Sequence, residues 1–319
     1  MAEPLSNGDA YQSVPEAYVF PEHKRPGSSP SSAAAIPVVD LGGDDPDRIV
    51  KQIIDAGREF GMFQVINHGV PEQLMREMMS SAEEFFRLPT EEKMTLYSTD
   101  SKKLPRFHTS LGYDLELLEG LPQACLRASL EAYTTAVRAV ALRLLRLTAA
   151  GLGLDEVHFE EGGLITGPML MNVNHYVPCP DPSLTLGLGS HCDPNIITVL
   201  MENGVRGLQT WRRGGGGWVD VEPLPGALVV NFGHQMEVIS NGALWSDEHR
   251  VVTNTRAART SLAVFVMPEM GSVVSPAPGL VAGGEAPLYR PYTYQEFLGA
   301  FLATAADRDT ILAHFQNKD

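Results

Sequence analysis

Cysteine is scarce in this chain of 319 residues, which contains only Cys125, Cys179 and Cys192. Three scattered cysteines form neither a disulfide framework nor a CxxC zinc pattern, and their scarcity predicts a reducing, cytoplasmic compartment. Basic residues are also in the minority, with 24 Lys and Arg against 39 Asp and Glu and a formal net charge of −15. Because no dense Lys/Arg cluster is present, we expect the chain to bind neither nucleic acid nor an anionic membrane surface.

Long hydrophobic runs are missing as well. No apolar stretch reaches the roughly 20 residues that a membrane-spanning helix needs. The N-terminal stretch MAEPLSNGDAYQS lacks the basic and apolar regions of a secretory signal. The sequence contains no internal repeat and does not predict an oligomeric state. A hydrophobic content of 44% and a charged content of 20% are typical of a globular protein with a sizeable core.

The first part of the chain predicts two regions. Residues 1–35 are rich in Pro, Ser, Gly and Ala and are predicted to form a flexible arm. Residues 36–122 have a mixed α/β pattern. The predicted elements of this second region are strands at 36–41 and 63–66 and amphipathic helices at about 46–60 and 71–88.

The third region, residues 123–319, begins with a long helix and then becomes mostly β. An apolar stripe with alternating spacings of four and three from Leu126 to Leu147 predicts the helix. Short strand candidates separated by Gly, Pro and Asp come after it, which is typical of a sandwich or barrel. The candidates are 169–177, 188–192, 196–202, 207–212, 217–222, 227–232, 247–253 and 259–268. A closing helix is predicted over residues 291–306, so the fold class is α+β.

Within the β-region, three pairs of polar residues are each two positions apart, and a lone histidine lies between the last two pairs. The set is Asn174 and Tyr176, His191 and Asp193, Arg259 and Ser261, and the lone His249. Residues i and i+2 of a strand point to the same face, so each pair directs two polar groups to one side of a sheet. Polar groups that face an apolar interior are costly unless they bind something, which indicates a ligand site.

His191 and Asp193 can supply two ligands to one metal ion, and His249 can supply a third from a later strand. Cys192 lies between them but points to the opposite face. Two histidines and one carboxylate leave coordination positions open, as in non-haem Fe(II) oxygenases. A hydrolytic zinc site can use the same three residues, and the short H-x-D pattern alone is a weak signal.

Arg259 stands at the head of the apolar segment Arg259–Met267 and needs a carboxylate or phosphate partner there. Its own strand contains no acidic residue. One interpretation is a salt bridge to a distant Asp or Glu. The other is that Arg259 and Ser261 bind the carboxylate of a co-substrate, with Tyr176 as a further hydrogen-bond donor. This second interpretation favours an oxygenase, because hydrolysis needs no such carboxylate site.

Eight segments of the chain carry a resemblance to a known family. They are IPVVDL, EFGMFQVINHGVP, FFRLPTEEK, NVNHYVPCPDP, GSHCDPNIITVL, VVNFGHQMEVISNG, DEHRVVTN and ARTSLAVF. Together they resemble the plant 2-oxoglutarate- and Fe(II)-dependent dioxygenases of specialised metabolism over most of residues 15–100 and 123–300. Within that family they are most similar to the branch with hyoscyamine 6β-hydroxylase, mugineic-acid hydroxylases and the salicylate hydroxylase/flavone synthase group.

The resemblance implies a double-stranded β-helix (a cupin-like jelly roll) flanked by helices. It implies that His191, Asp193 and His249 bind Fe(II), and that Arg259, Ser261 and Tyr176, with Asn174 nearby, bind 2-oxoglutarate. The implied reaction consumes O2, with ascorbate in support. It hydroxylates or desaturates a small-molecule substrate, a specialised metabolite or hormone, and releases succinate and CO2.

The segment from Ser110 to Gln123 departs from the resemblance, because a longer stretch normally precedes the long helix in this family. The missing stretch usually forms one wall of the substrate pocket. An alternative hypothesis is therefore a catalytically impaired binding or regulatory homologue, or a truncated form, that keeps iron and 2-oxoglutarate without a complete pocket. Four residues are further wall candidates by position only, and each could equally be a core or turn residue: Phe107, His175, Asn195 and Phe232.

Overall fold

The predicted helices and strands occur in the predicted order, with several short elements between them. The computed structural model describes residues 12–27, 35–98, 124–214, 217–281, 286–304 and 307–317, without the side chains of 124–128. Its helices are α1 (Pro46–Glu59), α2 (Glu72–Arg87), α3 (Thr90–Met94), α4 (Ala124–Gly151), α5 (His234–Ile239), α6 (Tyr294–Ala303) and α7 (Arg308–Phe315). Its strands are β1 (Val38–Asp40), β2 (Met62–Ile66), β3 (Met169–Tyr176), β4 (Leu186–His191), β5 (Ile197–Glu202), β6 (Leu208–Trp211), β7 (Trp218–Asp220), β8 (Leu228–Phe232), β9 (His249–Val252), β10 (Arg259–Val266), β11 (Val273–Val274) and β12 (Tyr292–Thr293).

Two sheets form the centre of the fold. The larger sheet has the strand order β1-β2-β8-β5-β10-β3, and the smaller has the order β4-β9-β6-β7. Neighbouring strands are antiparallel except β1 and β2. Among the described strands the two sheets stay separate and do not close into one barrel. The arrangement agrees with the predicted α+β class and jelly-roll core.

The larger sheet is covered on both faces. Helices α1, α2 and α4 form one hydrophobic cluster with outward residues of its strands, such as Val199 and Leu262. On the other face, Met62 and Val229 share a second cluster with Leu208, Val219 and Val251, three residues in or beside the smaller sheet. This second face, called here the inner face, therefore looks toward the smaller sheet, and polar groups on it are shielded from water.

Helix α1 begins and ends as its sequence predicts. The side chain of Asp45 accepts a hydrogen bond from the backbone N–H of Arg48 at 3.1 Å, and Pro46 is the first helical residue. After the helix, Gly61 has a φ of +70°. A Cβ at this position would lie 2.4 Å from the carbonyl oxygen of Trp245. Glycine is therefore required here both by backbone conformation and by close packing.

Several boundaries differ from the predicted ones. The predicted strand 188–192 ends at His191, so Asp193 lies just beyond a strand rather than within it. The predicted closing helix is shorter (α6), comes after the two-residue strand β12, and is succeeded by the unpredicted helix α7. Helices α3 and α5 were also not predicted, because both have fewer than seven residues and so show little periodicity.

Part of the predicted N-terminal arm contacts the rest of the chain. Tyr18 is buried, and the backbone N–H of Phe20 donates to the carbonyl oxygen of Leu184 at 2.9 Å. Residues 1–11 and 28–34 of the arm, and the shortened segment 110–123 with Phe107, lie outside the described residues. The three domain boundaries stay predictions. Among the described helices, none combines the length and apolar content that crossing a bilayer requires.

Candidate functional site

Three predicted metal ligands meet between the two sheets. Each of His191, Asp193 and His249 offers one ligand atom, and the three atoms lie within 4.8 Å of one another. Nε2 of His191 is 3.7 Å, and Nε2 of His249 is 3.9 Å, from Oδ1 of Asp193. All three side chains are buried. The antiparallel register of β4 and β9 explains the histidine pair, because it places His191 directly opposite His249.

Asp193 is held by residues of the larger sheet. Its Oδ2 accepts hydrogen bonds from Oγ1 of Thr198 at 2.5 Å and from Nδ2 of Asn231 at 2.8 Å. Thr198 lies on β5 and Asn231 on the neighbouring β8, where the two are register partners. These bonds occupy one carboxylate oxygen and leave the other, Oδ1, facing the two imidazoles. The sequence did not predict either donor.

The outer nitrogen of each imidazole also faces an acceptor. Nδ1 of His191 is 2.9 Å from the carbonyl oxygen of Gly189. Because a carbonyl only accepts, Nδ1 carries the hydrogen and the lone pair of a neutral His191 is on Nε2. Nδ1 of His249 lies 3.1 Å from Oδ2 of the buried Asp247. Carbonyl and carboxylate partners of this kind orient metal-binding histidines in many proteins.

The cluster holds its charges in an apolar setting. Burial and the neighbouring His249 lower the pKa of His191 to about 3. Burial also opposes charge on His249, but Asp247 and Asp193 outweigh it and raise the pKa of His249 to about 9. For Asp193, burial favours the neutral acid, yet the two imidazoles and the two hydrogen bonds lower its pKa. One positive charge thus stabilises the buried carboxylates.

These side chains fit a divalent metal ion. A cation between the three ligand atoms can replace the proton on His249 as the source of positive charge in the cluster. Such a cation binds neutral imidazoles and an ionised carboxylate. Two imidazoles and one carboxylate leave open positions and suit non-haem Fe(II). Cys192 is no part of this set, since its Sγ lies 3.8 Å from the carbonyl oxygen of Ser246.

A second group of polar residues, here called the arginine cluster, lies on strands β3, β10 and β5. Its members are Asn174, Tyr176, Glu202, Arg259 and Ser261. Register places Tyr176 opposite Arg259, and Ser261 between Asn174 and Glu202. Directly paired residues of neighbouring strands share a face, so the four residues predicted from sequence do lie together.

Arg259 is buried, and its guanidinium makes contacts with three members of the cluster. Nη1 donates to Oγ of Ser261 at 3.3 Å, and the guanidinium carbon lies 5.6 Å from the ring centre of Tyr176. Nη2 donates to Oε2 of Glu202 at 2.6 Å. The salt bridge to a distant acid, one of the two interpretations of Arg259, is therefore present. The sequence did not predict Glu202 as the partner, because Glu202 lies 57 residues from Arg259 in the chain and becomes adjacent to it only through strand pairing.

Strand β5 connects the two clusters. Thr198, which holds Asp193, and Glu202, which holds Arg259, are four residues apart and so point to the same, inner face. Four residues of strand span about 13 Å. Between them on this face lie Leu200 and its register partner Ala263. The metal ligands and the arginine cluster thus border one continuous strip of the sheet, whose surface between them is formed by the small and apolar side chains of Ala263 and Leu200.

The described pocket-wall candidates have other roles. His175 alternates with Asn174 and Tyr176 and faces the helices, where it stacks on Phe86 with 4.4 Å between ring centres, which agrees with the alternative of a core residue. Phe232 packs against Phe63. The side chain of Asn195 donates to Oγ1 of Thr198 at 2.9 Å and supports the partner of Asp193.

Comparisons with known proteins agree with this geometry. The chain matches the 2OG-Fe(II) oxygenase superfamily over residues 167–268 and the N-terminal family of the non-haem dioxygenase in morphine synthesis over residues 36–120. It is 38% identical to the 2'-deoxymugineic-acid 2'-dioxygenase of Hordeum vulgare, over 91% of this chain and 90% of the relative. It is 36% identical to Protein DOWNY MILDEW RESISTANCE 6 of Arabidopsis thaliana, over 99% of each chain. That alignment runs over 343 residues, so it includes positions that this chain of 319 residues lacks.

Solved structures of dioxygenases are also similar to this chain. The crystal structure of JOX2 in complex with 2OG, Fe, and JA superposes with a TM-score of 0.85 at 31% identity, covering 98% of this chain and 96% of that one. The crystal structure of the dioxygenase for auxin oxidation in rice has a TM-score of 0.74 at 26% identity, covering 88% and 100%. Both likenesses extend over most of the chain, and they confirm the predicted jelly-roll class.

Proposed function

This chain belongs to the 2OG-Fe(II) oxygenase superfamily, and from that premise we propose that His191, Asp193 and His249 are the ligands of its iron. The enzyme is a non-haem iron dioxygenase that uses 2-oxoglutarate. The observation that carries the site assignment is the buried triad itself, with three ligand atoms within 4.8 Å of one another. Thr198, Asn231 and the Gly189 carbonyl hold these ligands in place, as partners of metal ligands commonly do.

The arginine cluster is proposed to bind the distal carboxylate of 2-oxoglutarate. Arg259 supplies a planar set of donors that suits a carboxylate, and Ser261 and Tyr176 can each donate a hydroxyl hydrogen. Asn174 is the register neighbour of Ser261. A co-substrate lying along the strip over Leu200 and Ala263 reaches from this cluster toward the triad. Its keto-acid end is then available to the metal.

The chain's residues bind, orient and shield the reactants. When bound, iron and 2-oxoglutarate supply an oxidant for C–H bonds, with succinate and CO2 as co-products. Asp193 is only 1% exposed, and the two neighbouring imidazoles together with its hydrogen bonds lower its pKa, so its carboxylate is ready to bind a cation. The inner face excludes bulk water, which strengthens the charge interactions of the site. The hydroxyl of Tyr176 stays protonated, because burial raises its pKa to about 12, and it can therefore donate.

The substrate is proposed to be a small specialised metabolite or hormone that is hydroxylated or desaturated. The support is the similarity to relatives named for such compounds: a deoxymugineic acid and, for flavanone 3-dioxygenase 2 of Oryza sativa subsp. japonica, a flavanone. A reducing, cytoplasmic location is proposed from the cysteines. The two whose side chains are described, Cys179 and Cys192, are buried free thiols.

The proposal predicts that succinate release depends on Fe(II), on 2-oxoglutarate and on a matching small molecule. The measurement uses 2-oxoglutarate labelled at C1 and scores CO2 and succinate release across a panel of phenolic acids, flavanones, amino-acid-derived acids and hormone acids. Mass spectrometry then seeks a product heavier by one oxygen or lighter by two hydrogens. We expect a matching compound to accelerate succinate release at least tenfold, with one oxidised product per succinate.

A second candidate function is binding of iron and 2-oxoglutarate without substrate oxidation. It is favoured by the positions of the Arabidopsis relative that this chain lacks, together with the shortened segment 110–123. This candidate predicts slow succinate release that no compound accelerates and that yields no oxidised product. If the protein releases no succinate under any of these conditions and binds no 2-oxoglutarate, both functions are wrong.

A further inference from the structure

Glu202 is a buried carboxylate inside the proposed co-substrate site. Its Oε2 lies 2.6 Å from Nη2 of Arg259, and the two side chains are 7% and 2% exposed. Each also has an unsatisfied atom. Among the described residues, neither Oε1 of Glu202 nor Nε of Arg259 has a hydrogen-bond partner. The pair therefore has unused hydrogen-bonding capacity that faces no water, which is costly unless a ligand satisfies it.

Strand register fixes the side from which Glu202 approaches Arg259. Glu202 is the partner of Ser261 on β5, and Asn174 is the partner of Ser261 on β3. Glu202, Ser261 and Asn174 thus form one row on the inner face. A carboxylate that binds Arg259 and Ser261 must lie next to Glu202. Two carboxylates would then share one guanidinium.

Electrostatic repulsion acts between these two carboxylates. One arginine neutralises one carboxylate, so two carboxylates on Arg259 leave an excess negative charge in a buried site. Like charges that share such a site cannot both stay ionised without a large cost, and one of them takes up a proton. The ligand's carboxylate is the one that stays ionised, because it also accepts hydrogen bonds from the hydroxyls of Ser261 and Tyr176. Glu202 is left to take the proton.

We propose that Glu202 sets the affinity of this site for its co-substrate, and that a keto acid with a distal carboxylate binds with uptake of one solvent proton by Glu202. The inference rests on the proposed function, since it takes the arginine cluster as the 2-oxoglutarate site. The proton forms an O–H bond on the Glu202 carboxyl. Protonated Glu202 then donates to, rather than repels, the neighbouring carboxylate.

The groups around Glu202 determine the direction of the pH effect. Burial raises the pKa of Glu202, Arg259 opposes this rise, and Glu222 adds to it. Arg259 comes from β10, while Glu222 lies just after β7 and is itself paired with Arg206 at 2.5 Å. Tyr176 from β3 faces the same guanidinium and stays neutral. A second carboxylate on Arg259 raises the pKa of Glu202 further, so this pKa is higher in the complex than in the free enzyme. The affinity for 2-oxoglutarate therefore increases as the pH falls through the pKa of Glu202 in the complex. It becomes constant once the pH is below the pKa of Glu202 in the free enzyme.

The test is calorimetric titration of 2-oxoglutarate into the Fe(II)-loaded protein without oxygen, between about pH 6 and 8.5, in buffers with different protonation enthalpies. The buffer dependence counts the protons taken up. We expect Glu202→Gln to lose the proton uptake that the wild type shows in this range and to bind at least about tenfold more tightly at pH 8, since each pKa unit of interaction is worth a factor of ten. Glu202→Asp, which keeps a titrating carboxyl, should keep the proton uptake.

Two controls isolate the effect. Glu222→Gln removes a nearby but half-exposed carboxylate and should keep the proton uptake, because the Glu202 carboxyl is still present and Glu222 is the smallest of the influences on its pKa. The probe 2-oxopentanoate has the same keto-acid end but no distal carboxylate, and its binding should show no difference between wild type and Glu202→Gln. Equal proton counts and equal affinities in the wild type and Glu202→Gln overturn the inference while the proposed function stands. If neither protein binds 2-oxoglutarate at any pH, the proposed function fails with it.

Discussion

We expect a His191→Ala variant to bind Fe(II) more than about 100-fold more weakly than the wild type and to lose 2-oxoglutarate turnover as a result. His191 is one of three proposed ligands, and even the outer partners of metal ligands are worth roughly 10–100-fold in metal affinity. Burial and the adjacent His249 keep His191 neutral, so the wild-type imidazole is ready to bind metal. Competition with a chelator measures the affinity, and succinate release measures the turnover.

Cys192→Ala is the matched control for this experiment. Cys192 is the next residue along the chain and is also buried, but its Sγ faces the carbonyl oxygen of Ser246 rather than the triad. We expect this variant to bind Fe(II) within about twofold of the wild type. A His191→Ala protein that is folded and keeps wild-type iron affinity would show that the metal lies elsewhere.

Arg259→Met is expected to lose both stability and co-substrate binding. Removing one partner of a buried ion pair costs about 3–5 kcal/mol of unfolding free energy, because the other charge stays buried without compensation. Here that charge is Glu202, at 7% side-chain exposure. The Kd for 2-oxoglutarate should rise at least about 30-fold, the equivalent of the ~2 kcal/mol lost when a buried charge contact is truncated. Urea unfolding and calorimetry measure the two effects.

A double variant, Arg259→Met with Glu202→Leu, separates folding from binding. An apolar pair of similar volume often replaces a buried ion pair without loss of stability, so the unfolding free energy should return to within about 1 kcal/mol of the wild type. Binding of 2-oxoglutarate should not return, since the guanidinium is still missing. If the double variant binds the co-substrate normally, Arg259 serves only the fold.

The sequence predicts the site best where the functional residues lie on one strand. Arg259 and Ser261 are two residues apart on β10 and share a face, as their spacing predicts. The same argument correctly predicts that His191 and Asp193 lie close together, but the strand spacing explains only part of this. Asp193 lies beyond the end of β4, and the hydrogen bonds from Thr198 and Asn231 position it. Local spacing therefore identifies the ligands but not the residues that hold them.

Partners that depend on strand pairing could not be predicted. Glu202 meets Arg259 only because β5 and β10 are neighbours in a given register. Asn231 meets Asp193 because β8 adjoins β5. Asp247, at 3.1 Å from Nδ1 of His249, is two residues away from it in sequence, the same spacing as the polar pairs. That spacing is the signal in the sequence that could have identified Asp247.

The fold itself was more predictable than the site's supporting residues. The stripe of α4 was confirmed, with Tyr133, Val137 and Leu144 fully buried at the helical spacing. The predicted strands agree with the observed strands to within a few residues, because turns containing Gly, Pro and Asp separate the strands of the β-region. The short helices α3 and α5 lack the length for a periodic signal. The strand order could not be read from local pattern, since pairing joins segments far apart in the chain.

The most direct test of the site is a diffraction experiment on crystals grown with Mn(II) and 2-oxoglutarate, with anomalous data collected to locate the metal. We expect one anomalous peak, from a metal ion bound to Nε2 of His191, Oδ1 of Asp193 and Nε2 of His249. We also expect the keto-acid end of 2-oxoglutarate to bind that metal and its distal carboxylate to contact Arg259. A metal bound away from the three residues, or a distal carboxylate that does not contact Arg259, would contradict this assignment of the site.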